Sequence, residues 1–383
     1  MARTVLVLGA GLGGLVAAEE LRRLLPASHR VVVVERNGAH FFPPSLLWLM
    51  VGERRPADIT RSYGRLDRRG IEFWQGEVTK IDPAGRSAEI DGRAIAADAL
   101  IVALGADYAD AAIPGLTEAG LSLYTLDGAE AIRQALATFK GGRIVILTAA
   151  PAYKCPAAPY EAALLVDASL RKAGRRSAAR IDFFAAEAAP MVVAGPQIGG
   201  AVRGMLEGRG IGYFPEHQVS TVDVAARKLV FANGAEAEFD LLLYVPPHRA
   251  PAVVREAGLC NESGWVPVDR HTLQTRFEGI YAIGDVTTIP LAMGRPLPKA
   301  GVFAHGQAEV VAHNIAQGWT GQGDTRQFEG EGMCFIETGN HRAGMGRGNF
   351  YAEPTPQVKM HAPGLLWHAG KLVYEKYWLW RRF

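Results

Sequence analysis

Three short stretches of the chain are almost continuously apolar, which is typical of parallel strands covered on both faces. They occupy residues 4–8, 99–104 and 280–283, and each leads directly into a glycine. Polar residues do not alternate with apolar ones in these stretches, as they would in a sheet with one face in water. We therefore expect buried parallel strands that end in turns.

Helix-like segments follow two of the strand-like runs. A helix at 15–25 and a second strand at 30–34 follow the first strand, and a helix at 160–172 follows a β-branched run at 143–147. With 383 residues the chain is also too long for a single core, so about two or three domains are expected. This organisation predicts an α/β fold that contains two Rossmann-like units.

The loop after the first strand carries three glycines, Gly9, Gly11 and Gly14, and the acid Glu35 closes the second strand. Gly9 permits the turn, Gly11 lets the backbone approach a pyrophosphate, and Gly14 lets the helix pack on the strand. Glu35 can accept hydrogen bonds from ribose hydroxyls. The loop therefore predicts a dinucleotide site, and an empty Rossmann-like turn is the alternative.

Two later strands end beside the same predicted site. Gly105 follows the strand at 99–104, and Gly284 and Asp285 follow the strand at 280–283. Asp285 is placed to accept a hydrogen bond from a polyol chain, although an Asp in this position can also cap a helix. Three such strand ends in one chain indicate one shared ligand.

The corresponding loop of the second unit has no glycine. Residues 149–160 contain three prolines, which remove backbone amide donors, and one cysteine, Cys155. A second nucleotide would find few donors here, whereas a thiol at a helix N-terminus lies where the helix dipole favours a thiolate. The alternative is that Cys155 is a small buried filler.

Composition excludes several classes of function. The formal charge is +2 and no stripe of lysine and arginine occurs, which argues against broad nucleic-acid binding. The three cysteines, Cys155, Cys260 and Cys334, have no CxxC or Cys-His spacing, so neither a disulfide framework nor a zinc site is expected. No apolar run of about 20 residues predicts a transmembrane helix, and the N-terminus lacks a signal-peptide pattern.

The three strand ends resemble those of two-dinucleotide-domain flavoproteins related to disulfide reductases. In that family the first domain binds FAD and is split by an inserted domain of the same fold, which usually binds NAD(P)H. The resemblance implies that residues 1–110 and 240–320 form the FAD-binding domain. It implies that residues 111–239 form an insert without a nucleotide loop, and that residues 321–383 form a C-terminal, membrane-associating segment.

The sequence from Cys155 to Glu161, Cys-Pro-Ala-Ala-Pro-Tyr-Glu, narrows this resemblance. It is similar to the Cys-Pro-x-x-Pro-Tyr-Glu element of sulfide:quinone oxidoreductases and of the flavoprotein subunit of flavocytochrome c sulfide dehydrogenase. Residues 298–307, which include Lys299, resemble the element leading into the helix under the flavin. Residues 332–339 resemble the segment with the second catalytic cysteine, so the resemblance extends through nearly the whole chain.

The resemblance also implies roles for the cysteines. Cys334 would react with the flavin, and Cys155 would hold the growing sulfur chain, because thiolate attack on a disulfide or bridging sulfur transfers sulfur readily. Glu161 is the candidate proton acceptor, with a surface carboxylate at a helix start as the alternative. Cys260 matches no catalytic element and is expected to be structural. Relatives that tether flavin covalently have a cysteine near position 125, where this chain has threonine, so FAD is expected to bind non-covalently.

The C-terminal segment interleaves aromatic and basic residues, which is typical of a helix in a bilayer interface, although packing on the protein's own core would also explain it. The resemblance favours peripheral, monotopic membrane attachment, on the cytoplasmic side, and implies ubiquinone or menaquinone as electron acceptor. A homo-oligomer is left open. The residues assigned to the quinone or the membrane are Phe335, Ile336, Lys371, Tyr374, Trp378 and Trp380.

The sequence thus predicts a membrane-associated, metal-free, FAD-dependent enzyme that oxidises hydrogen sulfide to polysulfide or zero-valent sulfur and reduces a quinone. Three alternatives stay open: a flavocytochrome c subunit, a type II NADH:quinone dehydrogenase and a non-catalytic FAD redox sensor. The missing glycine loop argues against the second. The third predicts that Cys155 and Cys334 lie too far apart to exchange sulfur.

Overall fold

A computed structural model describes residues 2–383. Its α-helices, named α1 to α10 in chain order, are Leu12–Leu24, Leu46–Met50, Pro56–Ile59, Leu116–Ala119, Leu126–Thr138, Ala158–Lys172, Pro196–Glu207, Ala252–Glu256, Gly301–Thr320 and Leu365–Arg381. The two helices expected at 15–25 and 160–172 correspond to α1 and α6.

The strands, named β1 to β25 in chain order, are mostly short. They are Thr4–Leu8, Arg30–Glu35, Ala39–Phe41, Thr60–Ser62, Glu72–Gln75, Val78–Asp82, Ser87–Ile90, Arg93–Ala96, Ala99–Val102, Asp107–Tyr108, Gly120–Ser122, Gly142–Thr148, Ala179–Ala185, Ile211–Phe214, Val219–Asp223, Lys228–Phe231, Glu236–Glu238, Leu241–Val245, His248–Arg249, Val266–Pro267, Ile280–Ala282, Thr287–Thr288, Glu331–Gly339, Arg342–Asn349 and Gln357–Gly364.

The first parallel sheet joins distant parts of the chain. Its strand order is β21-β9-β1-β2-β5, and all neighbours are parallel. The three apolar runs at 4–8, 99–104 and 280–283 form its centre and one edge, and the residues of β1 and β9 are almost all fully buried. Helices α1 and α9 pack against each other beside this sheet. The fold therefore agrees with a first domain that is split by an insert.

The second parallel sheet forms the insert, with the order β11-β18-β12-β13-β14. Strand β18, Leu241–Val245, lies between β11 and β12, so the insert extends beyond residue 239 and the boundary predicted at 240 is several residues early. The antiparallel pair of β10 and β19 lies where the chain enters and leaves the insert. An apolar strand fits either sheet, and only the pairing decides between them.

The C-terminal segment contains an antiparallel sheet, β23-β24-β25, followed by α10. Strand β23 packs on α6 of the insert, and α10 packs on β24. Helix α6 is alanine-rich and apolar around most of its circumference, which suits a helix enclosed on several sides. This packing brings the loop before α6 next to β23. No helix within residues 2–383 is both long and apolar enough to span a bilayer.

Candidate active site

The first glycine loop leaves the backbone open on its outer side. Gly9 has a φ of +99°, and a Cβ there would lie 2.5 Å from the carbonyl oxygen of Ala103. A Cβ at Gly14 would collide with the carbonyl oxygen of Gly9, so α1 can approach the end of β1 only if residue 14 is glycine. At Gly11, by contrast, no non-adjacent atom of residues 2–383 comes within 4 Å of a Cβ. The N-terminus of α1 is thus accessible, as a pyrophosphate site requires.

The neighbouring strand ends have complementary features. The carboxylate of Glu35 accepts hydrogen bonds of 3.1 Å from the backbone N–H of Ala10 and of Asn37, which fixes it at the end of β2. Gly105 has a φ of +68°, and a Cβ there would likewise meet no atom of the described chain within 4 Å. The predicted dinucleotide residues therefore line one open edge of the first sheet and fit FAD.

Lys299 and Asp285 lie on the side of this edge that faces the insert. The ammonium of Lys299 donates to the carbonyl oxygens of Asp285, at 2.7 Å, and Thr287, at 2.8 Å. It also lies 3.4 Å from the centroid of the Trp265 ring. Burial lowers the pKa of Lys299 to about 8, against the opposing effect of Asp285. The backbone N–H of Gly284 donates to Gln307 at 2.7 Å, which fixes this turn against α9.

The loop before α6 places Cys155 against the FAD-binding domain. The backbone N–H of Cys155 donates to the carbonyl oxygen of Lys299 at 2.6 Å. The hydroxyl of Tyr124 donates to the carbonyl oxygens of Lys154, at 2.7 Å, and Cys155, at 3.3 Å. Cys155 has a φ of +48°, a left-handed conformation that is unfavourable for a residue with a Cβ. Contacts from both domains therefore hold this conformation.

Cys155 and Cys334 are free thiols that lie side by side against the same core, and Cys334 Sγ donates to the carbonyl oxygen of Phe335 at 3.4 Å. The neighbouring Cys334 thiol lowers the pKa of Cys155, against the effect of burial, whereas the neighbouring Cys155 thiol and burial raise the pKa of Cys334 well above its usual value. Cys155 is thus the sulfur that ionises first. The redox-sensor alternative predicted two distant cysteines, and this prediction is wrong. Cys260 lies elsewhere, packed beside the core of the first domain.

Glu161 and Lys371 form a buried ion pair beside the thiols. Their side chains approach to 2.5 Å, and the two residues are 3% and 5% exposed. The backbone N–H of Glu337 also donates to Glu161, at 2.9 Å. Burial alone would lower the pKa of Lys371, but the carboxylates of Glu161 and Glu337 outweigh it and raise the pKa. The alternative of Glu161 as a surface carboxylate is therefore wrong.

Sequence reasoning missed two residues that lead from this ion pair toward the surface, Glu337 and His368. The Glu337 carboxylate lies 3.0 Å from Nδ1 of His368, and burial raises the pKa of Glu337. The ring of His368 lies 5.3 Å from that of the exposed His341. Trp48, from α2, covers both Lys371 and His368: its ring lies 4.8 Å from the Lys371 ammonium and 6.0 Å from the His368 ring. No local motif marks Glu337 or His368, because the residues that they contact lie far away in sequence.

Most of the residues assigned to the quinone or the membrane are packed against other parts of the protein. Ile336 is buried, the Phe335 ring lies against α10 at Gly370, and the Tyr374 ring lies 5.8 Å from that of Phe42. Trp378 is only 1% exposed and donates its indole N–H to His40 at 3.2 Å.

Two assignments to the membrane need correction. Trp378 and Lys371 are both buried and do not reach a lipid surface, because Trp378 fills the core beside α1 and Lys371 pairs with Glu161. Trp380, by contrast, is 77% exposed. Helix α10 therefore has an inner face in the protein core and an outer face in solvent. The outer face carries exposed apolar side chains, Leu366, Val373, Tyr377 and Trp380.

The chain is similar to several relatives of known name over most of its length. A mitochondrial sulfide:quinone oxidoreductase from Mus musculus is 26% identical over 365 residues, which cover 91% of this chain and 79% of the relative. A sulfide-quinone reductase from Aquifex aeolicus is 26% identical and covers 100% of this chain and 91% of the relative. A type II NADH:quinone oxidoreductase from Staphylococcus saprophyticus is 23% identical, with 85% of each chain covered.

Solved structures agree with the fold. The crystal structure of the sulfide:quinone oxidoreductase from Aquifex aeolicus superimposes with a TM-score of 0.89 at 26% identity, covering 100% of this chain and 91% of that one. The family model described as pyridine nucleotide-disulphide oxidoreductase matches residues 3–318. These matches confirm the predicted α/β fold and the resemblance to flavin-dependent disulfide reductases. The chain belongs to the pyridine nucleotide-disulphide oxidoreductase family.

Proposed function

We propose that this protein oxidises hydrogen sulfide and transfers the two electrons through FAD to a quinone. The observation that carries the proposal is the adjacent pair of free thiols, Cys155 and Cys334, held where α6 of the insert packs on β23 of the C-terminal sheet. The mouse and Aquifex relatives are named for this activity and align with most of the chain. The product is a short polysulfide or zero-valent sulfur.

One edge of the first sheet would hold the cofactor. The glycine loop and the N-terminus of α1 suit the pyrophosphate, and Glu35 suits the adenosine ribose. Bound FAD supplies an acceptor for two electrons. The residues proposed to hold it are Gly9, Gly11, Gly14, Glu35, Gly105, Gly284, Asp285 and Lys299.

Sulfur transfer begins from the disulfide form of the cysteine pair. HS⁻ attacks the sulfur of Cys155, a new sulfur–sulfur bond forms, and Cys334 leaves as a thiolate. A second HS⁻ then attacks the outer sulfur, Cys155 leaves as the thiolate, and the product passes one proton to the Cys334 thiolate and departs as HSS⁻. Reclosure of the disulfide releases one proton and two electrons. The sum is two HS⁻ converted to HSS⁻, one proton and two electrons, which balances atoms and charge.

The ion pair of Glu161 and Lys371 controls charge at the thiols. Lys371 lowers the pKa of Cys155, and Glu161 raises it. The two opposing effects allow Cys155 to exist both as a thiol and as a thiolate during the reaction. The Glu161 carboxylate is also the proposed acceptor for the proton that is released when the disulfide re-forms. Glu337 and His368 continue from it toward the surface.

We propose that the quinone binds near Phe335, Ile336 and Tyr374, where β23 meets α10. This location places an aromatic ring close to the cysteine-bearing strand, since Phe335 directly follows Cys334. A planar quinone can stack on such rings within an apolar pocket. The first domain contributes Phe42 to the same region.

We propose that the outer face of α10 rests on a membrane surface. Beside its apolar side chains, a surface cavity of about 730 Å³ is lined by basic residues and by Trp380. Exposed apolar groups next to cations suit an interface that contains anionic lipid. The basic residues are Arg61, Arg65, Arg69, Lys376 and Arg381.

Vesicle sedimentation tests this attachment. The protein should sediment with phosphatidylcholine vesicles that contain phosphatidylglycerol more than with phosphatidylcholine alone, and the Trp380→Ser variant should bind both less well. Equal binding by wild type and variant would remove α10 from the interface. The Val224→Ser variant is the control, because Val224 is also an exposed apolar residue and lies in the insert.

Anaerobic stopped-flow mixing tests the reaction itself. Sulfide should bleach the flavin absorbance near about 450 nm rapidly, and added quinone should restore it. NADH should bleach it slowly or not at all, since residues 149–160 have no glycine loop. Rapid bleaching by NADH but not by sulfide would instead support an NADH:quinone dehydrogenase.

A further inference from the structure

The insert keeps an acid at the place where a dinucleotide-binding unit holds ribose. In the first unit β1 pairs with β2, and Glu35 ends β2. In the insert β12 pairs in parallel with β13, and Glu187 follows β13 by two residues. In dinucleotide-binding folds the acid at the end of the second strand accepts the ribose hydroxyls. Glu187 is therefore the counterpart of Glu35.

Three hydroxyl groups of the protein itself donate hydrogen bonds to the Glu187 carboxylate. Oε1 accepts hydrogen bonds from the phenol of Tyr153, at 2.5 Å, and from that of Tyr160, at 2.8 Å. Oε2 accepts one from the hydroxyl of Thr148, at 2.8 Å. Burial and the nearby Glu187 charge raise the pKa of both tyrosines well above its usual value, so they remain donors. Three side-chain hydroxyls thus take the place that ribose hydroxyls would occupy.

One of these hydroxyls belongs to the cysteine loop. Tyr153 precedes Cys155 by two residues, whereas Tyr160 lies within α6 and Thr148 ends β12. On its other side the loop is held by Tyr124 and by the carbonyl oxygen of Lys299. The bond from Tyr153 to Glu187 therefore ties the loop to the insert at a point two residues before Cys155, whereas the start of the loop is tied to the sheet at Ala149.

We propose that Glu187 is a positioning residue for Cys155, acting through Tyr153. By accepting the hydrogen bond from Tyr153, Glu187 holds the left-handed backbone of Cys155, and with it the sulfur, beside Cys334. The same contacts close the insert to a dinucleotide. This proposal rests on the sulfide-oxidising function proposed above.

Two matched tyrosine variants test the proposal. Tyr153→Phe and Tyr160→Phe each remove one phenol from the same oxygen of Glu187, but only the first frees the cysteine loop. Tyr153→Phe should slow flavin reduction by sulfide about 10- to 100-fold, because small displacements of a reacting group have effects of this size. Tyr160→Phe should slow it much less. Both variants should keep FAD and show the wild-type rate of flavin reoxidation by quinone.

Two further variants complete the experiment. Glu187→Gln retains an acceptor oxygen and should preserve more of the sulfide rate than Glu187→Ala. Tyr213→Phe is the control, because the Tyr213 ring lies 6.4 Å from that of Tyr160 but its buried hydroxyl finds no hydrogen-bond partner among residues 2–383. Equal slowing by Tyr153→Phe and Tyr160→Phe, in step with their melting temperatures, would show a purely structural role and overturn the proposal.

A readout without sulfide separates this proposal from the proposed function. In reduced protein, Tyr153→Phe should shift the pH dependence of Cys155 alkylation by iodoacetamide to higher pH, because a displaced loop moves Cys155 away from Cys334 and Lys371, which lower its pKa. If wild-type flavin does not react with sulfide but the alkylation shift is seen, only the proposed function fails. If sulfide reacts and Tyr153→Phe changes neither measurement, only the positioning role fails.

Discussion

The two strand–loop–helix units of this protein have the same fold and opposite loops. After β1 the loop is open, since no non-adjacent atom of the described chain comes within 4 Å of a Cβ at Gly11. After β12 the loop is filled by its own side chains and carries Cys155. The acids differ in the same sense, because Glu35 is held by backbone amides and Glu187 by side-chain hydroxyls. One loop leaves room for a ligand, and the other presents a thiol.

This difference shows how little of the scaffold has to change for a change of chemistry. Both sheets are parallel and five-stranded, and both place the loop at the carboxyl end of a central strand. Glycines expose amide donors for a phosphate, whereas prolines remove donors and hold the chain in a fixed course. The fold supports either loop, and the residues of the loop determine the function.

The largest expected effect is the loss of either thiol, which should abolish the function of the loop after β12 and leave that of the loop after β1 intact. Cys155→Ser and Cys334→Ser should each slow flavin reduction by sulfide about 1,000-fold or more, because sulfur exchange requires both members of the pair. FAD content should be unchanged, since the open loop after β1 is untouched. Stopped-flow absorbance measures the rates, and Cys260→Ser is the matched control. A sulfide rate in either variant equal to that of the control would exclude the cysteine mechanism.

A substitution in the open loop after β1 should weaken FAD binding without destabilising the apoprotein. Gly11→Ala adds a methyl group that meets no protein atom, so the apoprotein should melt at the wild-type temperature. FAD affinity should nevertheless fall about 10- to 100-fold, because the methyl group occupies the approach of the pyrophosphate. Fluorescence titration of apoprotein with FAD measures the affinity. Gly200→Ala, at another uncrowded glycine in α7, should leave it unchanged. Equal FAD affinity in the two variants would contradict this location for the pyrophosphate.

The pattern that predicts a nucleotide site at the open loop is local, whereas part of the filled loop depends on residues far away in sequence. Three glycines and an acid at fixed spacing define the first site locally, so Gly9, Gly11, Gly14 and Glu35 could be assigned from pattern alone. The partner of Glu161 could not, because Lys371 lies 210 residues away and is interleaved with surface-like aromatics. Its burial follows from the docking of α10, which no local pattern encodes.

The same limit explains the other errors. The strand Leu241–Val245 was placed in the wrong domain because a continuous apolar run carries no information about its neighbours. Glu187 was missed because an acid two residues beyond a strand is unremarkable until three hydroxyls converge on it. Residues whose role depends on long-range contacts need the fold before they can be recognised.

The buried ion pair allows the finest test of the comparison, because its two members act on Cys155 with opposite sign. Lys371 lowers the pKa of Cys155 and Glu161 raises it. Lys371→Met should therefore raise that pKa and reduce the thiolate fraction at a given pH below it, whereas Glu161→Gln should lower the pKa and increase the fraction. A shift of one pH unit changes the thiolate fraction about tenfold in this range. The rate of Cys155 alkylation in reduced protein, followed by mass spectrometry from acid to alkaline pH, measures both shifts.

A paired control fixes the interpretation of this last experiment. Asp182 and its partner Arg143 form an ion pair in the insert, on β13 and β12, and do not touch the thiols. Asp182→Asn should leave the alkylation profile unchanged even if it lowers stability. Shifts of the same sign for Lys371→Met and Glu161→Gln would mean that both act through disruption of packing rather than through charge. Shifts of opposite sign would show that the filled loop is tuned electrostatically by a pair drawn from α6 and α10, whereas the open loop relies on uncharged backbone amides.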